Sequence, residues 1–141
     1  MSTPFPLPDA LSPALQRVFA YWDGLKRGGN AIPFWDDVAL SALPDLGDRL
    51  FLIDVFAKPE RFRFASVGKY VSAGRTLDSS FIDEVESQGP LRFLRAQASV
   101  AVEGRAPTYF RHENKGADAF ARLVLPLWGD GRVSMLLGAV D

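Results

Sequence analysis

Residues 123–140 read LVLPLWGDGRVSMLLGAV, and they carry the clearest structural signal in the chain. An Asp-Gly pair at 130–131 separates two apolar runs, and a two-residue Asp-Gly loop is typical of the tight turn of a β-hairpin. Both runs are apolar on each of their alternating faces, whereas a strand with one face in water alternates apolar and polar residues. The pattern therefore predicts a hairpin in an antiparallel sheet that is covered on both faces.

A second hairpin is predicted over residues 50–67. Residues 50–57 form an almost continuous apolar and aromatic run, and a turn at Lys58-Pro59 follows it. Residues 61–67 alternate, which places Phe62, Phe64 and Ser66 on one face of the strand and Val67 on the other. Two further strands are predicted near 106–114 and 119–128, and the second of these leads into the hairpin at 123–140.

An amphipathic helix is predicted over residues 12–28. Ser12-Pro13 is a typical start, since it supplies an N-cap and a proline at the first helical position, and Gly28-Gly29 is a typical end. Apolar residues recur at steps of three and four, which gathers them on one side: Leu15, Val18, Phe19, Trp22 and Leu25. This side can cover the second face of the sheet, from the same chain or from a twin subunit. We therefore expect a homodimer with Leu15, Phe19 and Trp22 at the partner interface.

The remaining residues complete an α+β arrangement in one domain. Residues 30–48 are interrupted by prolines and are predicted to form a connector packed by Phe34, Trp35, Leu40 and Leu43. Short helical pieces are predicted within 68–90, and a longer helix from residue 91 ends at Gly104. The predicted domain spans residues 12–141, and a flexible, Pro-rich N-terminus at 1–11 precedes it.

The composition excludes several kinds of chemistry. The chain has 141 residues, no cysteine, one histidine and a net charge of −1. Without cysteine there is no disulfide, thiolate nucleophile or Cys-ligated metal site, and the near-zero charge gives no general attraction to nucleic acid or anionic lipid. Neither a signal peptide nor a membrane-length apolar stretch is present in the sequence. We expect a soluble, cytoplasmic protein with no nucleic-acid partner and no membrane partner.

Several short motifs follow one another in a characteristic order: Tyr21-Trp22, Leu52-Ile53-Asp54-Val55, Arg61-Phe62-Arg63-Phe64, Gly74-Arg75-Thr76-Leu77, and Leu123-Val124-Leu125-Pro126-Leu127 before Gly129-Asp130-Gly131. In this order they resemble the PAS-domain family, specifically the stand-alone bacterial PAS-like proteins, over residues 15–140. The resemblance implies a five-stranded antiparallel sheet with short helices on one face, which enclose a pocket, and an extra N-terminal helix. It also implies a sensor of small ligands or a protein-contact module, commonly a homodimer.

The same resemblance limits the cofactor. Flavin photosensors of this family and those with a cinnamyl chromophore use a cysteine, which this chain lacks. Haem-binding members usually take a histidine from the longer helix, and residues 90–103 contain none. We therefore predict no cofactor. A small apolar or aromatic ligand is expected instead, between the sheet and the helices, and the polar tips of Tyr70, Tyr109 and Trp128 are expected to converge on it.

Catalytic and metal sites have little support in the sequence. His112 would need Glu113 or Asp118 as a companion, and no second ligand lies at a metal-binding spacing. The acidic runs Asp36-Asp37 and Asp83-Glu84-Glu86 are typical of helix starts and solvated faces. A local cationic patch for phosphate or an acidic partner stays open as an alternative to an ordinary solvated face, formed by Arg61, Arg63, Arg75, Arg92, Arg95 and Arg105. We predict no catalytic residue and no metal ligand.

The function expected from these observations is a non-catalytic sensory or regulatory domain in signalling, whose output passes through a separate signalling protein. Ligand occupancy would shift the short helices at 69–86 or the N-terminal helix. One alternative is a constitutive protein-interaction module whose interior is filled by side chains. A less favoured alternative is a small hydrolase or isomerase that uses His112 with a carboxylate.

Overall fold

The sheet has five antiparallel strands. The computed structural model describes residues 5–85, 89–113 and 119–141. The strands are β1 (Leu50–Ala57), β2 (Glu60–Val67), β3 (Thr108–His112), β4 (Phe120–Gly129) and β5 (Arg132–Val140). Their order across the sheet is β2-β1-β5-β4-β3. The predicted fold class is therefore confirmed as α+β, with a five-stranded antiparallel sheet, short helices and an extra N-terminal helix.

Both predicted hairpins are present. Asp130 and Gly131 have φ angles of 54° and 76°, which is the left-handed pair that a type I′ turn between twisted strands requires. Leu125 lies opposite Leu137, and Gly129 lies opposite Arg132. The Asp-Gly pair was therefore sufficient to predict the turn, whereas the register of the β4–β5 hairpin shifts at a bulge between Leu127 and Trp128.

The alternation predicted for β2 is wrong beyond Phe64. Ile53 lies opposite Phe64 and Leu52 lies opposite Ser66, so a β-bulge leaves Ala65 without a residue opposite it. An extra residue in one strand reverses the faces of all the residues that follow it. Val67 consequently packs in the same hydrophobic cluster as Phe62 and Phe64.

The helices are α1 (Pro13–Gly24), α2 (Lys69–Ser72) and α3 (Leu94–Gly104). Shorter 3₁₀ turns occupy the connector and the region before α3, at Trp35–Asp37, Leu40–Ala42, Pro44–Arg49, Ile82–Glu84 and Gly89–Leu91. Ser12 caps α1 as predicted, with its hydroxyl oxygen 3.4 Å from the Leu15 amide nitrogen. The predicted end near Gly28 is wrong, because the helix ends at Gly24, and glycine is a poor helix former.

Both faces of the sheet are covered, as predicted. We call the face under α2 and α3 the inner face; its cluster includes Phe51, Phe64 and Leu136 from the sheet, with Leu94 and Ala98 from α3. On the opposite, outer face, α1 and the connector pack over the sheet. That second cluster consists of Leu15, Val18, Trp22, Leu43, Leu46, Leu50, Leu123, Leu125, Leu127, Leu137 and Ala139. The covering helix therefore comes from the same chain.

This packing corrects the predicted partner interface. Leu15 and Trp22 retain only 1% and 2% of their accessible surface, and the indole Nε1–H of Trp22 donates to the Pro126 carbonyl at 2.8 Å. Phe19 is half-buried, with its ring centroid 5.6 Å from that of Trp22. Leu15 and Trp22 are consequently interior residues of this chain and are not surface residues that a partner can reach. Homodimerisation stays a prediction, and the covered outer face no longer argues for it.

The connector and the N-terminal segment each contact the sheet. Within the connector Leu43 is buried as expected, but Trp35 is 48% exposed and lies over Gly129. In the N-terminal segment, Phe5 contacts the sheet through its carbonyl, which accepts from the Tyr109 amide at 3.1 Å.

Within the described ranges no helix has the length and apolar character needed to cross a membrane.

Candidate functional site

The three residues predicted to hold a ligand lie in different places. Tyr70, on α2, is 42% exposed and its ring lies 4.3 Å from the guanidinium carbon of Arg49. Tyr109 packs on the outer face, next to the cluster that contains α1. Trp128 packs on the inner face at the end of β4. Tyr109 and Trp128 line different cavities, and Tyr70 lines neither. The predicted convergence of the three polar tips is therefore wrong.

Trp128 lines a cavity of about 270 Å³, which we call the Trp128 cavity. Three separate segments build it. The connector is joined to β4 here, because the Trp128 amide donates to the Pro33 carbonyl at 2.8 Å and Phe34 forms a parallel bridge with Trp128. Arg105 closes another side, with its guanidinium carbon 5.4 Å from the indole ring centroid. The full lining is Asn30, Ala31, Ile32, Phe34, Arg105 and Trp128.

The chemistry of the Trp128 cavity suits a small ring compound. The side chains of Ile32, Phe34 and Trp128 are apolar or aromatic, and the volume lies just below the roughly 300–1,000 Å³ of typical ligand pockets. The exposed Arg105 adds a cation at the rim. Sequence reasoning identified Trp128 but assigned Phe34 only a packing role and placed Arg105 in a surface patch. The missing information was tertiary, since these residues meet only when the connector pairs with β4.

A larger cleft of about 620 Å³ lies at the other end of β4, between the N-terminal segment and β3. His112 and Glu113 both line it, but they do not form an acid–base pair. Glu113 follows the end of β3 and pairs instead with Arg111, with 3.2 Å between Arg111 Nε and Glu113 Oε1. The His112 ring packs against Phe120, with 5.6 Å between their centroids. Asp118, the other predicted companion of His112, lies outside the described residues.

The acidic runs serve as ion-pair partners. A hydrogen bond from the Arg27 guanidinium lowers the pKa of Asp37, and one from Arg61 lowers the pKa of Asp83. A general acid needs a raised pKa, so both shifts run against that role. Glu86 lies outside the described residues. In the part of the chain that the structure describes, no group of three or more acidic or histidine side chains lies together as a metal site would require.

The inner face also contains a buried polar cluster that sequence reasoning missed. Arg122 on β4 is fully buried; its Nε–H donates to Gln97 Oε1 at 2.7 Å and its Nη1 donates to the Pro90 carbonyl at 2.8 Å. The Gln97 amide donates in turn to Thr108 Oγ1 at 3.2 Å. Burial lowers the pKa of Arg122 to about 9, so the guanidinium remains charged at neutral pH. One signal of this burial was present in the sequence. Arg122 lies two residues from both Phe120 and Val124, and side chains two apart on a strand share a face, which here is the inner face.

No described protein family matches the sequence, and no curated protein matches it. Among solved structures, the chain is similar to that of a sensory box sensor histidine kinase from Vibrio cholerae. The two share 17% sequence identity with a TM-score of 0.47, and the match covers 72% of this chain and 84% of that chain. No family assignment follows from these matches.

Proposed function

We propose that this protein is a cytoplasmic, non-catalytic sensory domain of the PAS-like type, which binds a small apolar or aromatic molecule in the Trp128 cavity. The observation that carries the proposal is the cavity itself, since two aromatic side chains and an arginine from three segments meet around a ligand-sized space. Aromatic faces of this kind bind ring compounds through burial and stacking.

The position of the cavity also suggests how occupancy would be transmitted. The residues at 30–34 that line it belong to the connector, and the connector is tied to α1. Tyr21 donates its hydroxyl to the Ala39 carbonyl at 3.2 Å and accepts from the Ala39 amide at 2.8 Å. Arg27, three residues after the end of α1, pairs with Asp37 of the connector. A ligand that favours one position of the connector would thus shift α1, and with it the surface presented to a separate signalling protein.

The second candidate is the constitutive interaction module with a filled core. It is favoured by the packing of the inner face, where Phe51, Phe64, Leu94 and Leu136 are buried together. The separation of Tyr70 from Tyr109 also favours it, because these two polar tips do not meet around one ligand. The two candidates differ in whether the Trp128 cavity ever holds a ligand. A catalytic role for His112 is not proposed, because Glu113 is engaged by Arg111.

Native mass spectrometry of the full chain purified from its own host tests this proposal. A bound small molecule that Trp128→Ala removes and Tyr70→Ala retains is the expected result, since Tyr70 lies outside the cavity. With indole as a neutral probe, we expect Trp128→Ala to weaken binding about tenfold or more, a loss of roughly 1.4 kcal/mol. A chain that carries no molecule and does not bind indole would favour the constitutive module. The same spectra report whether the chain is a homodimer.

A further inference from the structure

The rim of the Trp128 cavity carries a positive charge. Among the described residues that line this cavity, Arg105 is the one with an ionisable side chain. Its guanidinium carbon lies 5.4 Å from the indole centroid of Trp128, so the cation and the aromatic wall border the same space. Guanidinium groups form their strongest hydrogen bonds with carboxylates and phosphates. The charge of the lining therefore favours a ligand that has an anionic group.

A second cation near the cavity is paired within the chain. The guanidinium carbon of Arg27 is 5.5 Å from the ring centroid of Phe34. The Nε–H of Arg27 donates to Asp37 Oδ2 at 2.7 Å, so the two charges balance. Neither Arg27 nor Asp37 belongs to the cavity lining. Among these three charged residues, it is therefore Arg105 that a bound ligand would meet.

The backbone holds Arg105 in a conformation that is unusual for a residue with a side chain. Arg105 directly follows the last residue of α3, Gly104, and has a φ angle of 51°. Glycine is the common residue at this left-handed position after a helix, because it has no Cβ. Other residues in the left-handed region concentrate at active sites and ligand-binding segments. The conformation of Arg105 therefore supports a role for its guanidinium at the cavity rim.

The rim of the cavity lies far from the starts of the two later described ranges. Phe120, one residue into the last range, comes eight residues before Trp128 on β4, which is roughly 26 Å along a strand. Pro90, one residue into the middle range, contacts Arg122, which comes six residues before Trp128, or roughly 20 Å. The connector, β4 and the end of α3 therefore position the aromatic walls and the cation.

We propose that the ligand of the Trp128 cavity is an aromatic carboxylate, whose ring packs against Phe34 and Trp128 and whose carboxylate accepts hydrogen bonds from Arg105. This inference rests on the proposed function and names the ligand class of the same site. Asn30 is the other polar residue of the lining, and its side-chain amide can donate to the same carboxylate. The buried Ile32 offers the ligand only apolar surface, so the charged group is oriented toward the rim.

Isothermal titration calorimetry of the full chain tests this ligand class with three probes that share one ring. The probes are neutral indole, anionic indole-3-acetate and cationic tryptamine, compared at neutral pH and constant ionic strength. We expect indole-3-acetate to bind about fivefold more tightly than indole, and tryptamine to bind more weakly than indole, because the charged contact lies at a solvated rim. Added salt should reduce the preference for the anion, since it screens exposed charges.

Three variants assign the preference to one side chain. Arg105→Gln should bring indole-3-acetate to the affinity of indole, whereas Arg105→Lys should keep about a twofold preference, because it retains the charge and loses the planar guanidinium. Arg95→Gln is the matched control, since it removes the same charge from an exposed residue of α3 outside the lining; it should keep the fivefold preference. Arg105 is itself exposed, so its variants should fold like the native chain.

The outcomes separate this inference from the proposed function. Equal affinities of the native chain for the three probes, or an Arg105→Gln variant that keeps the preference for the anion, would overturn the aromatic carboxylate. Indole would still bind in both cases, so the proposed function would stand. A native chain that binds none of the three probes would overturn both.

Discussion

Replacing Trp22 by alanine should lower the free energy of unfolding by about 4 kcal/mol, as is typical for a fully buried aromatic side chain. Trp22 is 2% exposed and packs between α1 and the outer face of the sheet. Its indole also donates to the Pro126 carbonyl at 2.8 Å, and the alanine variant leaves that buried carbonyl without its partner. Both losses act on the contact that joins α1 to β4.

Urea denaturation followed by circular dichroism measures this effect. Trp35→Ala is the matched control, because Trp35 is 48% exposed, and it should cost about 1 kcal/mol or less. Trp22→Phe separates the two contributions, since it keeps most of the ring and removes the donor; we expect a cost of roughly 1–2 kcal/mol. Equal costs for Trp22→Ala and Trp35→Ala would show that α1 is not anchored as described.

Gly138→Ala should be the most destabilising single-methyl change on the inner face, at about 3 kcal/mol. A Cβ built on Gly138 would overlap the Cζ, Cε1 and Cε2 atoms of Phe51. Gly138 lies opposite Phe51 on the neighbouring strand, and the Phe51 ring fills the space that a side chain would need. Phe51 is itself fully buried and packs on Phe64, so the ring has little room to move away.

A double-mutant cycle tests this contact directly. Gly138→Ala combined with Phe51→Leu should cost less than the sum of the two single changes, by about 1–2 kcal/mol, because the smaller side chain removes the overlap. Gly24→Ala is the control, since a Cβ added to Gly24 would have no atom within 4 Å; it should change stability by less than about 1 kcal/mol. Strict additivity in the cycle would contradict the close approach of Phe51 to Gly138.

The parts of the fold that were predictable are those fixed by local chemistry. The Asp130-Gly131 turn needs two left-handed residues, and Ser12-Pro13 supplies a cap and a preset φ, so both signals are readable without tertiary information. The end of α1 was mispredicted because Gly24 precedes the Gly28-Gly29 pair in the sequence, and the helix ends at the first of these glycines. The bulge at Ala65 has no local signature, since it depends on how β2 pairs with β1.

The candidate sites were harder to predict for a related reason. Tyr109 and Trp128 each have a plausible polar tip, but which face a strand residue occupies depends on its register, and the two lie on opposite faces. Arg122 was missed because an arginine within an apolar strand is ordinarily expected at the surface. Its burial becomes evident only when Gln97 and Pro90, which are distant in sequence, approach it from the other side.

The strand order has a consequence for synthesis on the ribosome. β5 follows the other four strands along the chain, yet it lies at the centre of the sheet, between β1 and β4. Until β5 has been translated, the β1–β2 hairpin and the β3–β4 pair share no strand that joins them, and α1 lacks part of the surface on which it docks. Such late, long-range closure slows folding. Until β5 is translated, the edges of β1 and β4 that it joins therefore remain without their partner strand.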